Sequence, residues 1–232
     1  MKQLLTAGLL VLASGHLAFG SIGLELELTD GTNTALINSS GTLVLTGSAS
    51  GSAIVGSGVY TFNGSVGNYN VNVSTGEGSP LLAMGFLDLN TVDTSSGVGG
   101  PLKIWWSENG ITTTFGGWSV LLGGTLSTGA GGNVAYATYE SNLNAFFDTQ
   151  HTIAATAPQG PGVVAAALSG SVAGVTAPYS LSQLITLNGV GPTNFSGDAS
   201  LTPTPEPASV VLFGGVVLAI ATTLRRKVLN KG

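Results

Sequence analysis

The sequence predicts an all-β protein whose body is a single Gly/Ser/Thr-rich β-sandwich. Three observations carry this. The chain is 43% hydrophobic and only 7% charged, the reverse of the composition that leaves a chain disordered. Its 36 glycines fall with Asn, Ser and Thr between short apolar runs, the punctuation of closely spaced turns. No strand–helix alternation appears, so a parallel α/β sheet is excluded. A jelly roll is one topology with this signature. A parallel β-helix is the alternative, but it needs a periodic rung pattern that the chain lacks.

The body starts at 24–29, Leu-Glu-Leu-Glu-Leu-Thr. Strict alternation puts the leucines on one face and the carboxylates on the other, a half-buried strand. Asp30-Gly31 is a turn signal. Strands follow at 43–46 and 58–66, and at 68–73, where Tyr69, Val71 and Val73 share the inward face. Residues 75–80 read as a loop. Segments 84–92 and 102–107 are strands around the Gly-rich 97–101. Further strands are expected at 118–122, 133–140, 151–156, 163–168, 179–187 and 193–199. In the last, Phe195, Gly197 and Ala199 oppose Ser196, Asp198 and Ser200. Only 143–147 suits a helical turn.

Charge and cysteine content exclude several function classes. Residues 21–204 hold ten acids and one cation, Lys103, a net charge of −9 with histidine neutral. Such a surface repels phosphate backbones, so no nucleic-acid partner is expected. There is no cysteine, which excludes disulfides, thiol catalysis and thiolate metal sites. No cofactor is implied.

Candidate chemistry is sparse, and the body is read as non-enzymatic. His151 is the body's one histidine, with Asp148 nearby, but no G-x-S-x-G elbow presents a serine to it. Glu25 and Glu27 share a strand face and suit a solvated surface better than a pair flanking a glycosidic bond. Glu108 follows Trp105-Trp106, an acid beside aromatics. Trp105, Trp106 and Trp118 are therefore candidate glycan contacts, although Trp105 and Trp106 must face opposite sides of a strand. Asp88-x-Asn90-x-x-Asp93 offers oxygen donors for calcium, without the glycine of the usual calcium loop. Solvated strand and turn residues are the simpler account, and no metal is assigned. Asn-x-Ser/Thr at Asn38, Asn63, Asn72 and Asn194 reads as a chance consequence of composition.

The two ends carry a clearer message. Lys2, an apolar run over 4–13 and Ala18-Phe19-Gly20 before Ser21 form a secretory signal, residues 1–20, expected as a helix cleaved after Gly20. At the other end, Pro205-Glu206-Pro207 precedes an uncharged, mostly apolar run over 208–224 and the cations Arg225, Arg226 and Lys227. As a helix, 17 residues reach roughly 25 Å, a short membrane span. The cations fix the C-terminus on the cytoplasmic side and the body outside.

This ordered tail resembles the PEP-CTERM sorting signal of Gram-negative bacteria, and residues 203–229 are assigned to it. The strand-and-turn phrases at 66–80, 87–92 and 196–201 are also similar to bodies of PEP-CTERM proteins of unknown function. The resemblance implies processing by the membrane transpeptidase exosortase, with the inner membrane holding the precursor through 208–224. It also implies delivery of the body (21–202) to the envelope or outside, in species that make exopolysaccharide or biofilm matrix. The expected function is thus a non-enzymatic envelope or extracellular-matrix protein. A secreted carbohydrate-binding module and a hydrolase with an unrecognised site are the alternatives.

Overall fold

A computed structural model describes residues 22–80 and 82–204. The signal segment with its Ala18, Gly20 and Ser21, and the tail with Pro205, Glu206, Pro207, Arg225, Arg226 and Lys227, lie outside the described residues. Within them the chain is entirely β. The strands are β1 Gly23–Thr29, β2 Thr34–Ile37, β3 Leu43–Thr46, β4 Ser50–Gly56, β5 Val59–Val66, β6 Tyr69–Glu77 and β7 Leu87–Ser96. They continue with β8 Gly99–Ile111, β9 Gly117–Ser127, β10 Asn133–Ser141, β11 His151–Ala155, β12 Gly162–Gly170, β13 Tyr179–Val190 and β14 Thr193–Thr204. No helix forms at 143–147, which is a turn. No described helix is long and apolar enough to cross a membrane.

Two antiparallel sheets of seven strands pack face to face, as a sandwich rather than as parallel rungs. The first runs β11-β10-β13-β8-β1-β2-β3 and the second β12-β9-β14-β7-β6-β5-β4. From β7 onward the pairing is nested: β10 with β11, β9 with β12, β8 with β13 and β7 with β14. This is one long hairpin, four strands against four. It closes on itself because β9 also pairs with β14 and β10 with β13. The meander β1–β3 extends the first sheet beside β8, and β4–β6 extends the second beside β7.

The expected alternation builds the core. Leu24, Leu26 and Leu28 are buried, as are Tyr69, Val71 and Val73, and Phe195, Ala199 and Leu201. Trp106 sits between the sheets. Its indole Nε1–H donates to the Glu77 carbonyl of β6 at 3.0 Å, its ring meets Tyr60 edge-on at 5.4 Å, and it lies against Gly76. A Cβ on Gly76 would approach the indole to 3.0 Å.

Segment boundaries differ from expectation where glycine or edge position misleads. β6 runs through Glu77 into the expected 75–80 loop, and Gly99 to Pro101 belong to β8. β2 and β4 had no sequence signal. Four-residue β2 puts Leu36 on its outer side, and β4, Ser-Gly-Ser-Ala-Ile-Val-Gly, is a glycine-bearing edge strand with little to bury. β14 pairs through Thr204 with Gly117, so the body extends two residues past the expected boundary at 202.

Two directly opposed glycine pairs, Gly51↔Gly64 and Gly197↔Gly124, bring neighbouring backbones of the second sheet together. A Cβ on Gly64 would lie 2.1 Å from the Ser50 carbonyl oxygen, and one on Gly124 would lie 2.4 Å from that of Ser196. Glycine in a strand marks such an approach. Phe62 and Phe195 fold back over Gly64 and Gly197, covering the backbone that the missing side chains expose. We expect Gly64→Ala to cost about 1–3 kcal/mol, the range for forced overpacking. Gly123→Ala, where a Cβ meets open space, should change stability by less than about 0.5 kcal/mol. Urea unfolding of the two variants checks the contrast.

Candidate functional site: a polar groove across the second sheet

The outer face of the second sheet carries an open groove of about 1010 Å³ to which all seven strands contribute. Its lining follows from register. One transverse row reads Ser52–Asn63–Asn72–Asp93–Ser196–Thr125, and ends at Val163 on β12. The neighbouring row reads Ser50–Ser65–Asn70–Ser95–Asn194–Ser127. Six adjacent strands thus each present two outward polar side chains, two residues apart. Their spacing across the sheet is about 4.8 Å per strand. Among the described residues, the groove's lining holds one carboxylate, Asp93, and no cation. Its chemistry is that of short hydroxyl and amide groups, which both donate and accept hydrogen bonds.

The tryptophans do not contribute to it. Trp106 and Trp118 are fully buried, and Trp105 retains 8% exposure. Among the described residues, none of these three expected glycan contacts offers an open ring face. Trp105 does point to the outer side of the first sheet, as alternation requires, but the segment between β10 and β11 covers it. Phe147 and Tyr139 stand 6.0 and 5.9 Å from its ring centre. That cover is fastened by Asn144, whose side-chain oxygen accepts from the Gly110 N–H at 2.7 Å. It is fastened again by Ala145, whose carbonyl accepts from the Ser180 hydroxyl at 2.7 Å.

Asp88, Asn90 and Asp93 all lie on β7, but a register shift there interrupts the alternation. Thr91 adopts φ 55°, and its N–H donates to Asp198 at 2.6 Å. Asp93 joins the polar row, whereas Asp88 pairs in register with Glu77 and Ser200. Burial, followed by the nearby Glu77 and Asp198 charges, raises the Asp88 pKa. Among the described residues no group of three or more His, Asp or Glu side chains is arranged to hold a metal.

The candidate catalytic residues are dispersed. Asp148 accepts the Ser141 hydroxyl at 2.5 Å, and His151 lies opposite Glu140 at the start of β11. Glu108 faces the interior rather than solvent. It and Glu140 occupy one transverse row, separated by Leu181, and both are fully buried. Their carboxyl oxygens have no well-formed hydrogen bond among the described residues. Burial pushes the Glu108 pKa up to about 8, and the backbone N–H groups of Gly85 and Ser79 offset this only in part. Burial raises Glu140 as well, against a lowering by His151. Trp118 Nε1 and Gln183 Nε2 are likewise buried without a hydrogen-bond partner among the described residues.

The groove left a trace that sequence reading set aside. Asn63-Gly-Ser, Asn72-Val-Ser and Asn194-Phe-Ser resemble chance glycosylation triplets. In the first and last of these, the first and third residues both line the groove, and Asn72 lines it as well. Comparison of the chain with models of known families, with curated proteins and with solved structures finds no match.

The buried Glu108 has a consequence for stability. The folded protein retains a proton that the unfolded chain releases above about pH 4.5. Stability should therefore fall as pH rises from about 4.5 to about 8, by about 1.4 kcal/mol per pH unit for one proton, and level off above. Glu108→Gln should remove most of this slope and be the more stable protein above about pH 8. Urea midpoints across that range decide it.

Proposed function

We propose that this protein is an exported, non-enzymatic envelope or matrix component whose sandwich holds a neutral polysaccharide chain in the groove of the second sheet. The observation that carries the reading is the pair of transverse polar rows, twelve side chains with one carboxylate among them. Interchangeable donors and acceptors suit the hydroxyls of a sugar polymer. The strand spacing is close to the length of one pyranose unit in an extended chain. A groove with a carboxylate and no cation disfavours an anionic polymer.

The nested hairpin supports naming the topology a jelly roll, with β7-β14-β9-β12 and β8-β13-β10-β11 as its two sheets. Lectin domains include such folds, an analogy of fold alone. The reading extends the sequence expectation of a matrix protein linked to exopolysaccharide, and moves the carbohydrate contact from tryptophans to polar rows.

Delivery rests on the termini. A secretory signal over 1–20 and the PEP-CTERM-like tail together support export, inner-membrane retention through 208–224 and release by exosortase.

Asn72→Ala combined with Ser196→Ala should weaken binding to a neutral exopolysaccharide. The loss should be roughly 5- to 150-fold, two hydrogen bonds at about 0.5–1.5 kcal/mol each, without a change in urea midpoint. Affinity electrophoresis against neutral and anionic polysaccharides measures it. Binding to none of them, or unaltered binding by the double variant, would refute the groove.

For sorting, Glu206→Ala or deletion of 225–227 should leave the precursor in the inner-membrane fraction. Release of mature protein at the normal level would remove the exosortase assignment.

A further inference from the structure

The lateral edge formed by β3 and β4 is exposed in three respects at once. Among the described residues it is an open ladder edge, since β3 and β4 end their sheets. It is apolar: Ile54 is 73% exposed, and Val44, Leu45 and Val55 are also exposed. It carries no charge: from Gly31 to Gly76 the chain has 46 residues without a single Asp, Glu, Lys, Arg or His. Soluble proteins ordinarily guard such edges with charge, proline, a bulge or a covering segment. β4, Ser-Gly-Ser-Ala-Ile-Val-Gly, has no charge, proline or bulge.

The opposite edge of the same sheet differs. On β12 the Ala165 N–H is already taken by the Gln159 side-chain oxygen at 3.1 Å, which blunts that ladder.

We infer that β4 pairs antiparallel with β4 of a second copy of this chain, across a twofold axis normal to the second sheet. Strand direction selects this arrangement. Six antiparallel pairings separate β12 from β4, so the two edges run the same way. Head-to-tail addition would join them in parallel, whereas a twofold at β4 continues the antiparallel ladder. An isologous contact also closes after two copies. Charge selects the same partner. Two bodies of net charge −9 repel, and the uncharged 31–76 stretch is where their surfaces can meet without apposing carboxylates. The contact would also place the Ser50 and Ser52 ends of two polar rows against those of the partner. Two grooves then become one trough across fourteen strands, although pairing itself is independent of what the groove holds.

The absence of cysteine makes the test direct. Full-length protein is expressed with its export signals, carrying Ser52→Cys, Ala53→Cys or Ile54→Cys singly. At least one, the residue at the twofold, should give a disulfide-linked dimer in the oxidising envelope. Val163→Cys on β12, though 82% exposed, should stay monomeric. Ile54→Lys places like charges across the contact. It should raise the dimer dissociation constant of the full chain in detergent by roughly tenfold or more, while the fluorescence of the buried tryptophans stays native. A wild-type chain that is monomeric at every concentration would overturn the inference. So would equal cross-linking from Val163→Cys, or dimerisation unaffected by Ile54→Lys in a natively fluorescent protein.

Discussion

The seat of Trp106 is the constraint on which the rest of the sandwich depends. With no disulfide available, two large sheets must be held by packing and ladder bonds alone. Trp106 lies on β8, the strand that joins the β1–β3 meander to the closed hairpin. Its indole reaches across to β6, the strand that does the same for the other sheet. The Nε1–H bond to the Glu77 carbonyl satisfies the one polar atom of a side chain otherwise in the core. Gly76 supplies the space, and Tyr60 closes the edge. The sheets are thereby fixed in relative position at the junction of meander and hairpin.

Around that junction, polar groups are distributed in an unusual way. The outer face of the second sheet is built of small hydroxyls and amides, while two glutamates lie in the interior. Glu108 and Glu140 occupy a row with the buried Leu24 and Leu181, and burial favours their protonated forms. Neutral carboxyls in a core are tolerable where charged ones are not. The inner carboxyls therefore give stability a pH dependence, and the outer amides and hydroxyls line the groove.

Much of the fold was legible in the sequence. Period-two alternation located the leucines of β1, the tyrosine and valines of β6 and the aromatic and small residues of β14, because each strand has one wet face. β4 escaped notice because an edge strand with two open sides need not alternate. β6 was cut short because glycine at 76 reads as a turn when it is a seat for an indole. The burial of the tryptophans was not legible for a related reason. Tryptophan is the usual sign of a sugar contact, but alternation cannot tell an exposed face from one covered by a distant segment, and the Phe147 segment covers Trp105. The polar rows, conversely, are assembled from strands distant in sequence, such as β5, β7 and β14. No single segment displays them, and only the pairing register aligns Asn63 with Asn72, Asp93 and Ser196.

β14 runs through the middle of the second sheet, and its two ends serve different purposes. Asn194 and Ser196 stand in the groove, while Thr204 lies beside Gly117 at the other extremity and leads directly into Pro205. At about 3.4 Å per residue, the eight steps from Ser196 to Thr204 span roughly 27 Å. The polar rows and the last described residue thus stand at opposite ends of β14. On the proposed reading, a polymer in the groove is kept a full strand length from the tethered end, so tethering and occupancy do not compete for the same space.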